Sequence, residues 1–308
     1  MVTADHQGLA GGASRAAIEH HYDVGADFYR LWLDRRMVYS CALWDGALDD
    51  DLEAAQLAKL AWHASAAGAD GAGRVLDVGC GWGAMLQYLT AVRGVGHATG
   101  LTLSSDQASV ASSSCSSSSV EVRLEDWRDH RPGGDYDAIV SIGAFEHFSR
   151  PEFDRGKRLE VYSAFFAACA GWLGAGGRLS LQSIAYEDFD PSQEAVSSFF
   201  TTDIFPESTL PLFTDIVEAS DPWFSVAGLR RDPGHYEHTL HLWQRRLEAH
   251  RPAAIDLVGQ PTYRRYVRYL RLARAMFDRR VCTLYRVALE RRPRVVRRAP
   301  PPAAGEGG

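Results

Sequence analysis

The sequence predicts an α/β fold: a doubly wound, mostly parallel sheet with an N-terminal helical lid and a helix-and-loop cap inserted late in the chain. Three observations carry this expectation. Short apolar strands alternate with helix-length segments from residue 74 to residue 184. The run Gly79-Cys80-Gly81-Trp82-Gly83 joins the first strand to its helix. At Glu187 the alternation stops, and a stretch dense in Phe, Trp and Tyr begins.

Taken in order, residues 1–15 are rich in Gly and Ala and are expected to be disordered. Residues 16–66 make the lid. Within it, 18–33 reads as two short helices bent at Gly25, 39–44 as a compact apolar segment, and 52–66 as a helix. The core spans 67–186, with strands at 74–78, 97–103, 120–124, 136–142 and 177–184, and helices at 84–91 and 151–173. Residues 110–119 are nearly all Ser and Ala, so local disorder or a frayed helix is expected there. Residues 187–260 carry Phe199, Phe200, Phe205, Phe213, Trp223, Tyr236 and Trp243, and read as helices and loops over a pocket. Residues 261–292 return to the core with an Arg-rich helix, and 293–308 form a disordered tail.

Composition narrows the class. At 308 residues the chain can bury one large α/β core but not two full-sized domains. Its 46% hydrophobic and 23% charged residues are ordinary for a globular protein. The first residues lack an apolar signal core, and no run of about 18 apolar residues exists, so no membrane span is predicted. Cys41, Cys80, Cys115, Cys169 and Cys282 are scattered without a C-x-x-C pair, which fits a reducing cytoplasm. Net charge is −6, yet arginines crowd 264–280 and 286–298, where Asp278 and Glu290 are the only acids. That crowding is either a solvated helix face or a docking surface for an anionic partner: an acyl carrier protein, a pyrophosphate, or an anionic membrane, the last of which would make the protein peripheral to the membrane.

The glycine loop holds the chemistry. Glycines let the backbone turn tightly and approach a ligand, and the loop ends at a helix N-terminus. As a dinucleotide site, Gly79, Gly81 and Ala84 match G-x-G-x-x-A only loosely. Asp77 decides against it. A carboxylate beside the loop suits a ligand with cationic parts and would repel a diphosphate. The resulting D-x-G-x-G-x-G resembles the first motif of class I S-adenosylmethionine (SAM) methyltransferases, a Rossmann-like fold.

A wider set of segments sharpens that resemblance: HYDVGADFYRLWLD (21–34), YSCALW (39–44), LDVGCGWG (76–83), GLTLSSDQ (100–107), SIGAFEHF (141–148), HYEHTLHLW (235–243) and YRRYVRYLRLARAMF (263–277). With these the chain is similar to the cyclopropane-fatty-acid and mycolic acid cyclopropane synthases. The resemblance implies a SAM site lined by Tyr39, Ser40, Asp77, Gly79, Gly81, Gly83, Thr102, Leu103, Gln107, Asp126, Trp127 and Ile142. Gly79 and Gly81 would admit the methionine tail, Thr102 and Gln107 would hydrogen-bond polar groups, and Trp127 would stack on adenine.

The resemblance also implies an apolar acyl acceptor whose alkene takes the methyl group, leaving a carbocation that loses a proton to a bicarbonate ion. Cys41, Glu146 and Tyr236 match positions that hold the ion, and Ile184 matches one that contributes through its backbone. Gln182 departs from the family, which has His there. A Gln amide cannot carry charge or exchange a proton, so Gln182→His is expected to raise activity or bicarbonate affinity. Ala26 also departs, standing where Asn is common. The missing N-terminal domain of phospholipid-acting members leaves a second reading open: a small-molecule C- or N-methyltransferase of secondary metabolism. Taken alone, Glu146 has a second reading as a helix-start carboxylate, and Cys41 and Tyr236 as core. His235, His238 and His241 fall three apart, but no Cys or carboxylate motif accompanies them, so no metal is expected. Nor is nucleic acid, since no N-P-P-Y-type loop adjoins the basic stretch.

Overall fold

The computed structural model describes residues 11–14, 16–17, 24–44, 46, 48–115, 117–187, 204 and 207–293. Most of the expected tail, residues 18–23 of the lid and the Phe199, Phe200 and Phe205 positions lie outside them.

The chain enters through α1 (Ala26–Arg30), whose Phe28 and Tyr29 are buried. The lid continues to α2 (Leu52–Ala67). Asp51 caps α2 by accepting from the Ala54 N–H at 2.9 Å, and Gly68 ends it in the left-handed conformation at φ 69°. The core then alternates as β1 (Arg74–Val78), α3 (Ala84–Ala91), β2 (His97–Thr102), α4 (Ser105–Ser114), β3 (Val120–Leu124), β4 (Tyr136–Ile142), α5 (Arg155–Trp172) and β5 (Leu173–Tyr186). After it come α6 (Phe213–Ser220), β6 (Phe224–Arg231), α7 (Pro233–Ala249), α8 (Arg251–Asp278) and β7 (Cys282–Arg291).

The seven strands among the described residues run in the order β3-β2-β1-β4-β5-β7-β6. The first five are parallel; β7 pairs antiparallel with both β5 and β6. The order reverses between β1 and β4, and in such sheets the crevice beyond the strands' carboxyl ends at that point takes the ligand. Helices lie on both faces, which explains why β1 and β4 read as nearly continuous apolar runs. One apolar cluster packs α5 and α6 on the sheet, and a second packs α3 on its other face. A third joins α1, the 39–44 segment, α7 and α8 around Trp32 and Trp243.

Four expectations are corrected. Residues 224–231, expected among helices and loops, form the edge strand β6; a bulge between Val226 and Gly228 breaks the period-two pattern, and Val226 and Leu229 are both exposed, so no strand alternation is legible there. The Ser-rich segment forms helix α4 as far as Ser114, held by Ser104, whose hydroxyl oxygen accepts from the Gln107 N–H at 3.2 Å, and by buried Ala111. Residues 11–14, expected disordered, pack on the core: the Ala13 N–H donates to the His147 carbonyl at 2.8 Å, and Arg150 holds the Gly12 carbonyl at 2.9 Å. In the second arginine group Arg286 and Arg291 lie on β7 and not on a helix, while 294–298 lie outside the described residues.

Candidate active site

The carboxyl ends of β1, β2 and β4 open into a cleft of about 1140 Å3, mouth included. Eleven of the twelve sequence-selected cofactor residues line it: Tyr39, Ser40, Asp77, Gly79, Gly81, Thr102, Leu103, Gln107, Asp126, Trp127 and Ile142. Gly83 does not. It caps α3 at φ 90°, where a Cβ would come 3.0 Å from the Cys115 sulfur, so its role is to bring α4 against the loop.

The loop is shaped for close approach. Gly79 and Cys80 both donate their N–H groups to the Leu101 carbonyl, at 3.0 and 2.9 Å. Gly79 has φ +86°, and a Cβ there would lie 2.4 Å from the Ala144 Cβ. Gly81, at φ +53°, faces open space. Thr102 donates to the Gln107 side-chain oxygen at 2.8 Å, so Thr102 and Gln107 form one polar edge of the cleft. Asp126 is held by Arg128 through both carboxylate oxygens, at 3.0 and 2.7 Å. Trp127 is buried edge-on against Phe165, 5.4 Å between ring centres.

The floor of the cleft carries a group that sequence reasoning missed. Lys59 of α2 is 1% exposed and donates to the Ser40 hydroxyl at 2.9 Å. Burial pulls its ammonium down to about 7, against the raising influence of Asp34, Cys41 and Asp77. Asp77 is pushed up to about 7 by burial, with Lys59 opposing. Lys59 shares the buried face of α2 with Gln56 and His63, so the helix shows no clean apolar stripe from which a buried lysine would stand out. Gly12, Ala13 and His147 also line the cleft.

Behind the cleft lie the residues selected for chemistry. Glu146 sits in a single 3-10 turn, Phe145–His147, just after β4. Its Oε1 accepts from the Ile184 N–H at 2.7 Å, while its buried Oε2 has no hydrogen-bond partner among the described residues. Burial pushes this carboxyl up to about 7, opposed by the Ile184 hydrogen bond. Cys41 is fully buried and its thiol is pushed up to about 11 by burial, so it stays neutral. The Tyr236 hydroxyl is raised well above its ordinary value by burial, with smaller contributions from Tyr269, Cys41 and Glu146, and its ring packs on Phe277 at 4.6 Å.

Gln182 is a crossing point. Its side-chain oxygen accepts from Arg286 Nε at 2.9 Å and faces His63 Nε2 at 3.3 Å. His63 Nδ1 in turn meets the Ser180 hydroxyl at 2.8 Å. Burial holds His63 well below its usual range, hence neutral, and the two contacts assign its proton to Nε2. Arg286, missed in sequence because it belonged to an arginine-rich run, is completely buried. The three spaced histidines diverge onto separate partners: His235 Nδ1 accepts from the Trp44 N–H, His238 meets the Asp49 carbonyl, and His241 meets Arg274. Among the described residues no group of three His, Cys, Asp or Glu is placed to hold a metal ion.

Comparison with known proteins identifies the family. The family model described as mycolic acid cyclopropane synthetase matches residues 12–287. The chain belongs to that family. It is 34% identical over 274 residues to cyclopropane mycolic acid synthase 2 of Mycobacterium leprae, covering 82% of this chain and 86% of the relative. It is 32% identical over 273 residues to the cyclopropane-fatty-acyl-phospholipid synthase of Escherichia coli, covering 89% of this chain and 67% of the relative. Among solved structures it resembles mycolic acid cyclopropane synthase CmaA1 complexed with SAH and CTAB, at 32% identity and TM-score 0.80 over 91% of this chain and 99% of that one. The fold alone is shared with coclaurine N-methyltransferase, at 20% identity and TM-score 0.74 over 93% of this chain and 84% of that one. This member of the cyclopropane synthase family is a SAM-dependent methyltransferase of the class I fold.

Proposed function

We propose that the protein transfers a methyl or methylene group from SAM to an alkene, or another electron-rich carbon, of an apolar acyl-like substrate. The observation that carries this is Glu146: a buried carboxyl whose Oε2 has no hydrogen-bond partner among the described residues, near enough to Tyr236 to act on its hydroxyl, with Tyr236 and Cys41 both in one apolar, aromatic cluster. Such surroundings suit an uncharged acceptor. They also keep water from trapping a cation, and aromatic π-faces stabilise positive charge.

The cleft fits SAM. The Gly79–Gly81 turn leaves room for the amino-acid tail beside the α3 N-terminus, Asp77 offers a carboxylate toward cationic groups, and Thr102 with Gln107 offers hydrogen bonds. Bound there, SAM supplies an electrophilic methyl group. The lid around α1 and the 11–14 segment close the cleft against water.

The side chains at and around Glu146 are also of the kind that would hold a bicarbonate ion. Glu146 Oε2 has no hydrogen-bond partner among the described residues, Glu146 and Cys41 both act on the Tyr236 hydroxyl, and a carboxyl that ionises near 7 can donate a hydrogen bond to an anion. The ion would be the proton acceptor, with Glu146, Cys41 and Tyr236 framing it and Gln182 and Ile184 bounding it. In support of an apolar acceptor, a relative was crystallised with the lipid-like detergent CTAB. The arginines of α8 offer a face toward an acyl carrier protein or an anionic membrane; among the described residues no helix is long and apolar enough to cross one.

The test is incubation with methyl-labelled SAM and, in parallel, an acyl-lipid extract and a polar-metabolite extract. Label in the lipid fraction supports the reading. Label confined to the polar fraction replaces it with small-molecule C- or N-methylation, the reading that Gln182 favours. Absence of SAM binding overturns both.

A further inference from the structure

One guanidinium joins the segments that make the chemical end of the site. Arg286 lies directly across from Gln182 in the β5–β7 ladder. Side chains directly opposite in antiparallel strands stand roughly 5 Å apart at Cβ, so the strand register makes this contact unavoidable. From there its Nε donates to the Gln182 oxygen at 2.9 Å. Its Nη2 reaches the Ala42 carbonyl at 2.9 Å, the Cys41 carbonyl at 3.3 Å and the Cys41 sulfur at 3.5 Å. Its Nη1 pairs with Asp232, the residue before α7, whose first turn carries Tyr236. Asp232 is also held by Arg230. Two of the five residues assigned to the anion pocket (Cys41 and Gln182) are therefore held directly by one buried cation, which also pairs with Asp232 at the start of the helix carrying Tyr236.

We infer that Arg286 is the positioning residue of the anion pocket, a specificity device of this chain that fixes how Gln182 meets the ion. Arg286 and His63 take both lone pairs of the Gln182 oxygen, leaving the amide N–H2 as the group able to serve an anion. A glutamine free to flip would present an oxygen half the time and repel the ion. Held this way it is a fixed donor. Arg286 does not touch the ion, because its own donors are engaged by protein acceptors and Asp232 balances its charge. It acts through Gln182 and through the 41–42 backbone, as the planar guanidinium fork suits and a lysine point charge does not.

The inference rests on the bicarbonate reading above, and one experiment separates the two. Binding of 13C-labelled bicarbonate to the SAH-loaded protein is followed by line broadening, alongside calorimetry of SAH itself, for the parent, Arg286→Gln, Arg286→Lys and the double variant Arg286→Gln/Gln182→His. The parent is expected to bind bicarbonate. Arg286→Gln is expected to weaken it at least tenfold while SAH affinity changes less than twofold, and Arg286→Lys to weaken it similarly despite keeping the charge. The double variant should recover affinity to within about threefold of the parent, because imidazole replaces the amide donor once the guanidinium is gone; a purely structural arginine would not be rescued. If the parent fails to bind bicarbonate, the proposed acceptor role and this inference both fall. If the parent binds and Arg286→Gln and Arg286→Lys bind equally well, only the inference falls. Should Arg286→Gln not fold, Arg286→Lys carries the test by the same criterion.

Discussion

The cofactor cleft and the chemical pocket behind it are built in opposite ways. The cleft is assembled largely from contiguous pieces: one strand, one glycine loop and one helix start supply Asp77, Gly79 and Gly81, and the next strand end supplies Thr102 and Leu103. Its shape depends on what backbone conformations glycine permits. The pocket collects single residues from five distant places, at 41, 146, 182–184, 236 and 286, and its shape depends on side-chain hydrogen bonds across the sheet. A defect in the cleft should therefore act through cofactor affinity, and one in the pocket through turnover.

The largest expected effect breaks the pocket alone. Glu146→Gln keeps shape and loses the carboxyl, so turnover should fall by about 10²- to 10⁴-fold, the usual worth of a placed acid–base group. SAH affinity, measured by calorimetry, should stay within twofold. The same variant carries a pH signature. The native Glu146 carboxyl ionises near 7 instead of its ordinary 4.5, so folding favours its protonated form. That contribution is fully present below about pH 4.5 and disappears as pH rises through 7, a loss on the order of 3 kcal/mol. Chemical denaturation at pH 5 and pH 8 should show the parent losing that much more stability than Glu146→Gln. Equal pH dependence of the two proteins would remove Glu146 as the buried ionisable group of the pocket.

The next effect breaks the cleft alone. Gly79→Ala puts a Cβ 2.4 Å from Ala144 and forces an L residue to φ +86°. Strain of this kind costs about 1–3 kcal/mol, so SAH affinity should drop by roughly 5- to 100-fold as the loop shifts. Turnover at saturating SAM should fall much less. Should kcat collapse while SAH affinity stays intact, the separation of the two regions would be wrong.

How much of each region could be read in the sequence follows from the same contrast. The five parallel strands, their order of appearance and the glycine loop were legible because each is a local pattern of apolar residues and turn residues. Strand β6 was not, because a bulge breaks its period-two pattern and Val226 and Leu229 are both exposed. In the cleft, Lys59 escaped notice because nothing local distinguishes a buried lysine from one on a solvated helix face. In the pocket, Glu146, Cys41 and Tyr236 came from family resemblance, not from spacing. Arg286 was hidden among surface arginines, and only the β5–β7 register, a long-range property, reveals that it points at Gln182.

A smaller effect sharpens the comparison within the pocket. From the sequence, Gln182→His restores a family residue and should strengthen bicarbonate binding. The structure reverses that expectation for the single substitution. The amide oxygen of Gln182 serves Arg286 and His63 together, and a ring nitrogen that accepts can accept from only one donor. A protonated ring would also stand beside the buried guanidinium. Bicarbonate affinity of Gln182→His should therefore fall by a few-fold, with SAH affinity unchanged.

The smallest effect lies outside both regions. On α8, Arg271 pairs with Glu248 at 2.8 Å and Arg274 with Glu237, all with substantial exposure. Exposed pairs of this kind contribute about 0–1 kcal/mol, so Arg271→Gln with Arg274→Gln should change the denaturation midpoint little and leave SAH affinity alone. What they add is positive charge on one face. If that face docks on an anionic surface, the double variant should lose co-sedimentation with phosphatidylglycerol vesicles at low salt while neutral vesicles make no difference, and salt should abolish the parent's binding. Unchanged sedimentation in the double variant would assign these arginines to a solvated helix face, leaving acceptor delivery to the apolar cluster behind the cleft.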